Sequence, residues 1–457
     1  MNTDKRKVRG SESVCICVHL WLILLAPLSN ASADELYGVG PAATQATTTT
    51  AATQPTTRAL RKNPPNVVDI LEHVDSADGW SAGTMTNVTV IADEPPRIAL
   101  GYRERLFPRE GVWTGPEVET KFPFTELIAS FNPHTPDDTG VTLEIRVKQG
   151  DAWSPWLFMQ SWGRVIFPPT RTIKFDGGAV DIDTIELTKS AEAYQCRVGL
   201  VAFNYDTTIA PSIRRLSVCY SGVVADAKER EKLLLKSASA ATTLPSDFAR
   251  DLAVPFHGQG DRRYPRSLWG LICSPTSTSM VLEFHGATFT ALENCDRIYD
   301  PQYDLFGNWG RAVARAGEVG FDAWLARFRN WDQVKQQIAD GTPVVASIRF
   351  SRGQVKGFLY ERTFGHLLVV RGFTADGGVI VNDPASREKG AGAVYPAAEF
   401  AKAWFDNGGV GYVIKKPPKA VPASLVRSSN RMAASPATTA PAAPAPATAP
   451  VATSVSR

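Results

Sequence analysis

The sequence predicts two folded units of different class in one chain: an all-β sandwich, jelly-roll-like, over residues 66–222, then an α+β domain over residues 251–414. Three observations carry that division. Between residues 66 and 222 apolar residues recur with period two, without the helical spacing of 3.6. After residue 251 strand-like runs mix with segments of helical spacing. Stretches rich in Ala, Pro and Thr flank the pair, and a charged, polar segment divides it; neither kind buries enough apolar surface to fold alone.

From the N-terminus, Lys5, Arg6, Lys7 and Arg9 precede an apolar run over 14–28, and Ala31-Ser32-Ala33 then offers small residues for cleavage. That order is the form of an export leader, and the run is shorter than the ~20 residues of a membrane span. Residues 1–33 are therefore expected to be a signal peptide. The mature chain is expected to be exported, to the periplasm, the cell envelope or the exterior, with no integral span after leader cleavage. Residues 34–65 follow as an Ala/Thr-rich linker, in which 41–57 contains only Pro, Ala, Thr and Gln.

In the first unit Val141, Leu143, Ile145 and Val147 alternate with Thr142, Glu144, Arg146 and Lys148, as in a half-buried strand. Further strands are expected at 124–131, 156–162, 179–187, 196–203 and 213–220, with a turn cluster at 132–138. Several short strands with loops between them describe a sandwich. Trp153, Trp156 and Trp162 are candidates for a sugar-stacking platform, against the commoner role of sandwich aromatics in core and rim. Cys196 shares strand parity with inward Val198 and Leu200. Cys219 opposes inward Leu216, Val218 and Tyr220, so the two thiols face apart and no disulfide joins them. Four cysteines in the 424 residues after the leader are too few for a disulfide framework.

Residues 223–250 read as a linker whose charged first half, 225–236, is helical. The second unit ends near residue 414. Residues 415–457 form a Pro/Ala/Thr-rich tail in which 22 of the last 25 residues are Ala, Pro, Thr or Ser, a solvated spacer. The chain holds 49 Lys plus Arg against 46 Asp plus Glu, and removing the leader leaves 45 against 44. So even a balance leaves no electrostatic footprint for nucleic acid.

The second unit holds the chemistry. Its segments are Val254-Pro255-Phe256-His257-Gly258-Gln259; Cys273-Ser274-Pro275 opening a helix; Gly365-His366 opening a strand; and Asn382-Asp383-Pro384 closing the next strand. A thiol at a helix start meets unpaired N–H groups and a dipole that favour its anion, the reactive form; a small buried cysteine is the plainer alternative. Thr374-Ala375-Asp376-Gly377-Gly378 is a turn signal, so Asp383 returns near His366 at one end of a hairpin. A carboxylate there orients an imidazole and stabilises its cation. Gln259, 14 residues before Cys273, offers an amide to an oxyanion. No His-Glu-x-x-His, Cys-x-x-Cys or phosphate-loop motif is present; His257 and His285 flank the Cys273 segment without further zinc ligands, and no cofactor is implied.

These segments, in this order, resemble a papain-like cysteine peptidase of the C39-like type, related to bacteriocin-leader peptidases. The resemblance covers residues 251–414; the upstream region, chiefly Trp153-Ser154-Pro155-Trp156, resembles the sandwich that accompanies such domains in exported bacterial proteins. It implies a papain-like fold and peptidase activity on a peptide or protein substrate, with Cys273 as nucleophile, His366 as base, Asp383 as orienting acid and Gln259 as oxyanion donor. One departure stands out. Ser274 occupies the place of the family's usual Gly, where a side chain would narrow access to Cys273 or displace the oxyanion pocket. Cys295 is a further thiol, read as buried rather than as a disulfide partner of Cys273. Two other functions share these residues: a different thiol acyl transferase or hydrolase (transglutaminase-like or a cell-wall amidase), and an inactive papain-like domain in a glycan- or peptide-binding envelope protein.

Overall fold

The computed structural model describes residues 66–101, 108–165, 174–203, 210–237, 244–245 and 247–426. The expected leader, the linker 34–65 and the tail beyond residue 426 lie outside the described residues. In the first unit the principal strands are β1 (Val67–Val74), β2 (Glu110–Thr114), β3 (Val118–His134), β4 (Thr139–Gln149), β5 (Leu157–Gly163), β6 (Gly178–Asp181), β7 (Thr184–Ala202) and β8 (Ser212–Val223). All their pairings are antiparallel. β7 serves two layers: its first half pairs with β6 and β3, its second with β4 and β2, and register shifts between Glu186 and Ala193 bend it from one to the other. β8 lies between β3 and β1. Between the layers pack Phe124, Leu127, Phe131, Leu143, Val198 and Tyr220, a sandwich core built by the alternation seen in the sequence.

Two expectations for this unit need correction. The expected strand 179–187 is two strands, because Ile182 adopts φ 54° and turns the chain between β6 and β7. The turn cluster expected at 132–138 starts too early: β3 runs on to His134, with Asn132 opposite Arg215 and Pro133 opposite Ile213. Ladder pairing there outweighs the turn preference of Asn and Pro. The charged segment after the sandwich is helical, α1 (Ala227–Ser237).

The second unit contains α2 (Cys273–Phe284), α3 (Ala291–Ile298), α4 (Trp309–Glu318), β9 (Asp322–Arg327), α5 (Trp331–Ala339), β10 (Val344–Phe350), β11 (Thr363–Phe373), β12 (Val379–Asn382), β13 (Ala393–Tyr395), α6 (Ala397–Trp404) and β14 (Val410–Lys415). Its sheet is antiparallel in the order β9–β14–β10–β11–β12–β13. The chain is thus a β-sandwich followed by an α+β domain. α2 is buried from Cys273 through Leu282 although its first turns are Ser and Thr. The hydroxyl of Thr278 has no hydrogen bond among the described residues, but three others bond carbonyls: Thr276 donates to the Ile272 carbonyl at 2.7 Å, Ser279 to that of Pro275 at 3.0 Å, and Ser277 to that of Leu367 on β11 at 3.0 Å. Hydroxyls satisfied in this way can be buried at little cost, and the Ser277 bond fixes α2 against the sheet. Gly286, with φ 95°, stops the helix after its His285 cap. Among the described residues no helix is long and apolar enough to cross a membrane.

The two units share a buried face. β9 is an edge strand, and side chains of the sandwich cover its free main-chain groups. Asn132 donates to the Ala323 carbonyl at 2.7 Å and accepts from the Ala323 N–H at 3.1 Å, while Ser130 accepts from the Leu325 N–H at 3.1 Å. Arg214 bonds Asp322 at 2.7 Å and the carbonyls of Gly317 and Phe321. On α4, Gly310 and Gly317 let the helix approach: a Cβ would fall 2.4 Å from Gln160 and 2.6 Å from Asn132. Glu318, fully buried, accepts from Trp162 at 3.1 Å and pairs with Arg315 and Arg297. Trp162 is therefore an interface residue, not a surface platform. Trp153 and Trp156 are half-buried, and the Arg146 guanidinium lies 4.4 and 4.8 Å from their ring centres. Cys196 lies in the sandwich core and Cys219 at the shared face. All four described cysteines are free.

Replacing Asn132 by Ala strips two partners from the buried Ala323 main chain, at a cost of about 1–3 kcal/mol per unsatisfied group. Urea unfolding of the full chain is expected to show one transition in the wild type and a lower midpoint in Asn132→Ala. Two separate wild-type transitions, with the second indifferent to Asn132→Ala, would mean that the units do not stabilise each other.

Candidate active site

Cys273 is the first residue of α2, with no side-chain cap ahead of it, so the leading N–H groups of the helix point toward the thiol end. Cys273 is 7% exposed, and Leu271, two residues before it, is 50% exposed. His366 opens the buried part of β11 and is itself fully buried. Its Nε2 lies 2.8 Å from Asp383 Oδ1, which leaves Nδ1 as the ring nitrogen available to Cys273. Burial acts to lower the His366 pKa; the Asp383 charge and hydrogen bond, joined by Cys273, outweigh it and push the value up from 6.5 to about 10. Cys273, His366 and Asp383 are thus brought together from α2, β11 and the end of β12.

Asp383 is fully buried and four donors serve it. Oδ1 accepts from His366 and from the Ala385 N–H at 3.0 Å, and Oδ2 from Tyr360 at 3.0 Å and Tyr395 at 2.6 Å. Burial alone would raise its pKa; His366 and these hydrogen bonds hold it below the usual carboxylate value. Tyr395, buried beside that carboxylate, has its phenol pKa raised. The Tyr360 ring also meets His366 edge-on at 5.5 Å, closing the imidazole off from solvent on that side.

Gln259 is 2% exposed and arrives through its main chain: its N–H donates to the Pro384 carbonyl at 2.9 Å. The neighbouring Asn382 makes this possible. Its amide donates to the Val254 and Pro255 carbonyls at 2.9 and 3.2 Å, and its oxygen accepts from Gly392 and Arg371. The segment bearing Gln259 is therefore laced to the loop bearing Asp383. Asn382 stood in the sequence beside Asp383; Tyr360 and Tyr395 lie in unremarkable contexts and had no signal there.

Ser274 is fully buried, and its Oγ lies 3.1 Å from the Tyr412 hydroxyl on β14, so its side chain points into the interior. His257 pairs with Glu283 at 2.5 Å and His285 donates to the Ile414 carbonyl at 2.8 Å, both tying the C-terminal end of α2 to its surroundings. Among the described residues no three His, Cys, Asp or Glu side chains cluster as metal ligands. Burial pushes the Cys295 thiol up to about 12.

Comparison with known proteins finds a match in each unit. Residues 252–412 match the Peptidase_C39 like family, and residues 71–221 match the Peptidase C39 N-terminal domain. Among solved structures, one similar chain is a double glycine motif protease from an AMS/PCAT transporter in complex with the leader peptide. Identity is 17% over 36% of this chain and 94% of that one, with a TM-score of 0.26. Another is xylellain, a cysteine protease from Xylella fastidiosa, at 12% identity over 39% and 89%, TM-score 0.25. A third is the C-terminal CBM6 of LamC from Zobellia galactanivorans, at 10% identity over 34% and 98%, TM-score 0.17. No curated protein matches the chain. The first matched region thus lies within the α+β unit and the second within the sandwich, so the chain carries a region similar to the peptidase C39 N-terminal domain followed by one similar to the C39-like peptidase domain.

Proposed function

We propose that the protein is an exported cysteine peptidase that hydrolyses peptide bonds through Cys273, His366 and Asp383. The observation that carries this reading is the buried His366–Asp383 pair facing a thiol at a helix start, within a domain of a peptidase family. His366 takes the Cys273 proton, and the resulting ion pair presents a thiolate to the substrate carbonyl. The tetrahedral oxyanion is met by the Cys273 N–H at the start of α2 and by the Gln259 amide. His366 then protonates the leaving amine, an acyl-enzyme remains, and the same imidazole activates the water that releases it. Asp383 keeps one tautomer and supports the cation, with Tyr360 and Tyr395 holding the carboxylate in place. The tripartite leader in the sequence supports export.

The Cys273→Ala variant tests the assignment directly. It is expected to lose hydrolysis of a broad peptide library while its circular dichroism and unfolding midpoint stay those of the wild type. Undiminished turnover by the variant would end this reading.

Ser274 tests the departure from the family pattern. Because its hydroxyl serves Tyr412, removing it opens nothing toward Cys273 and strands a buried phenol. Ser274→Gly is expected to leave kcat/KM within about twofold and to lower stability by about 1–3 kcal/mol in urea titrations. A large gain in turnover would show instead that the serine obstructs the site.

A further inference from the structure

The surface beside the candidate dyad exposes what a folded chain normally covers. Of the large apolar side chains exposed among the described residues, two bracket the site: Leu271, 50% exposed and two residues before Cys273, and Phe364, 62% exposed and two residues before His366. Each has an aromatic ring with an arginine nearby. On the Leu271 side Trp269 is half-buried, with the Arg266 and Arg387 guanidinium carbons 5.7 and 6.0 Å from its ring centre. The Arg387 side chain lies across Gly258, where an added Cβ would fall 2.7 Å from its Cγ, so this arginine spans the Gln259 segment and the loop after Asp383. On the other side the Arg362 guanidinium carbon is 5.8 Å from the Phe364 ring centre.

Several arginines of the domain are committed to carboxylates, and two of those beside the site are not. Arg297, Arg315, Arg327, Arg329 and Arg371 all carry ion pairs. Arg362 and Arg387 pair with no carboxylate among the described residues: Glu361 is taken by Arg352, and Asp261, which feels the Arg387 charge, is taken by Arg263. Exposed Arg262 and Lys389 add two more cations on the same segments, against the exposed carboxylate of Glu388. A guanidinium resting on an aromatic face is weakly hydrated and keeps its planar fork free for a carboxylate.

We propose that this surface takes its substrate as an acidic peptide, with apolar side chains next to the scissile bond on Leu271 and Phe364 and carboxylates beyond them on Arg387 and Arg362. The proposal rests on the reading of Cys273 as a peptidase nucleophile, and it names the substrate class of that same site.

The test uses the full-length Cys273→Ala protein and three fluorescein-labelled decapeptides with one central Leu-Ala pair, flanked by Glu, by Ser or by Lys. Fluorescence anisotropy is expected to give about tenfold tighter binding of the Glu peptide than of the Ser peptide at low salt, an advantage that fades at high salt. Arg362→Glu with Arg387→Glu should transfer the preference to the Lys peptide, and Phe364→Ser should weaken the Glu and Ser peptides alike by a few-fold. Equal binding of the Glu and Lys peptides, or a preference unmoved by the double variant, would overturn the proposal. So would competition by inorganic polyphosphate as strong as that of the peptide and indifferent to Phe364→Ser, since the occupant would then be a polyanion. Hydrolysis by the wild type keeps the two readings apart. Equal cleavage of all three peptides overturns the acidic substrate and leaves the peptidase; acid-selective binding with no cleavage supports the surface and overturns the peptidase.

Discussion

A carboxylate buried to zero exposure is the constraint around which the second domain is arranged. Desolvating an ion costs several kcal/mol, and the fold offsets that cost with four donors on one group: His366, Tyr360, Tyr395 and the Ala385 N–H. The donors come from β11, from the segment ahead of it, from β13 and from the loop after β12, so satisfying Asp383 fixes the relative positions of all four. The pair has a pH window. His366, with its pKa raised, contributes stability fully below its unfolded value near 6.5, lost as pH rises through about 10. Asp383, with its pKa lowered, contributes above its unfolded value of ~3.9, and that contribution is lost as pH falls.

The same economy runs outward from the carboxylate. Asn382, next in the chain, ties the Val254–Pro255 carbonyls to the loop, and Pro384 receives the Gln259 N–H. α2 is held by hydroxyls that bond carbonyls, which is how a helix beginning Cys-Ser-Pro-Thr-Ser is tolerated in the core. Further out, the sandwich closes the exposed edge of the sheet with Ser130 and Asn132 and surrounds Glu318 with Trp162 and Thr135. The N-terminal unit therefore acts on the second as a brace, at a face remote in sequence from Cys273.

What the sequence made legible follows from what each signal encodes. Period-two alternation locates β4 and the core halves of β7 and β8, because parity states which residues share a face. Parity does not state what covers the other face. Cys219 reads as pointing away from the sandwich core, and it does, yet it is buried in the core of the second unit. The turn 374–378 correctly brought Asp383 back toward His366, but the register could not be read: a bulge at Arg371 shifts the pairing between Val370 and Gly372. Ser274 was visible as a departure, and the direction of its side chain was not, since that depends on Tyr412 more than a hundred residues away. Tyr360 and Tyr395 are long-range partners of the same kind, and no local pattern marks them.

The central claim is that buried Asp383 holds a cation on His366 beside Cys273. Nitrogen NMR of histidine-labelled protein reads the protonation state of that ring without any substrate. The account predicts that the His366 imidazole stays protonated through the weakly alkaline range and loses its proton near pH 10, and that Asp383→Asn moves the titration down toward the ordinary histidine value. A wild-type His366 that titrates near or below 6.5, at a pH unmoved by Asp383→Asn, would contradict it.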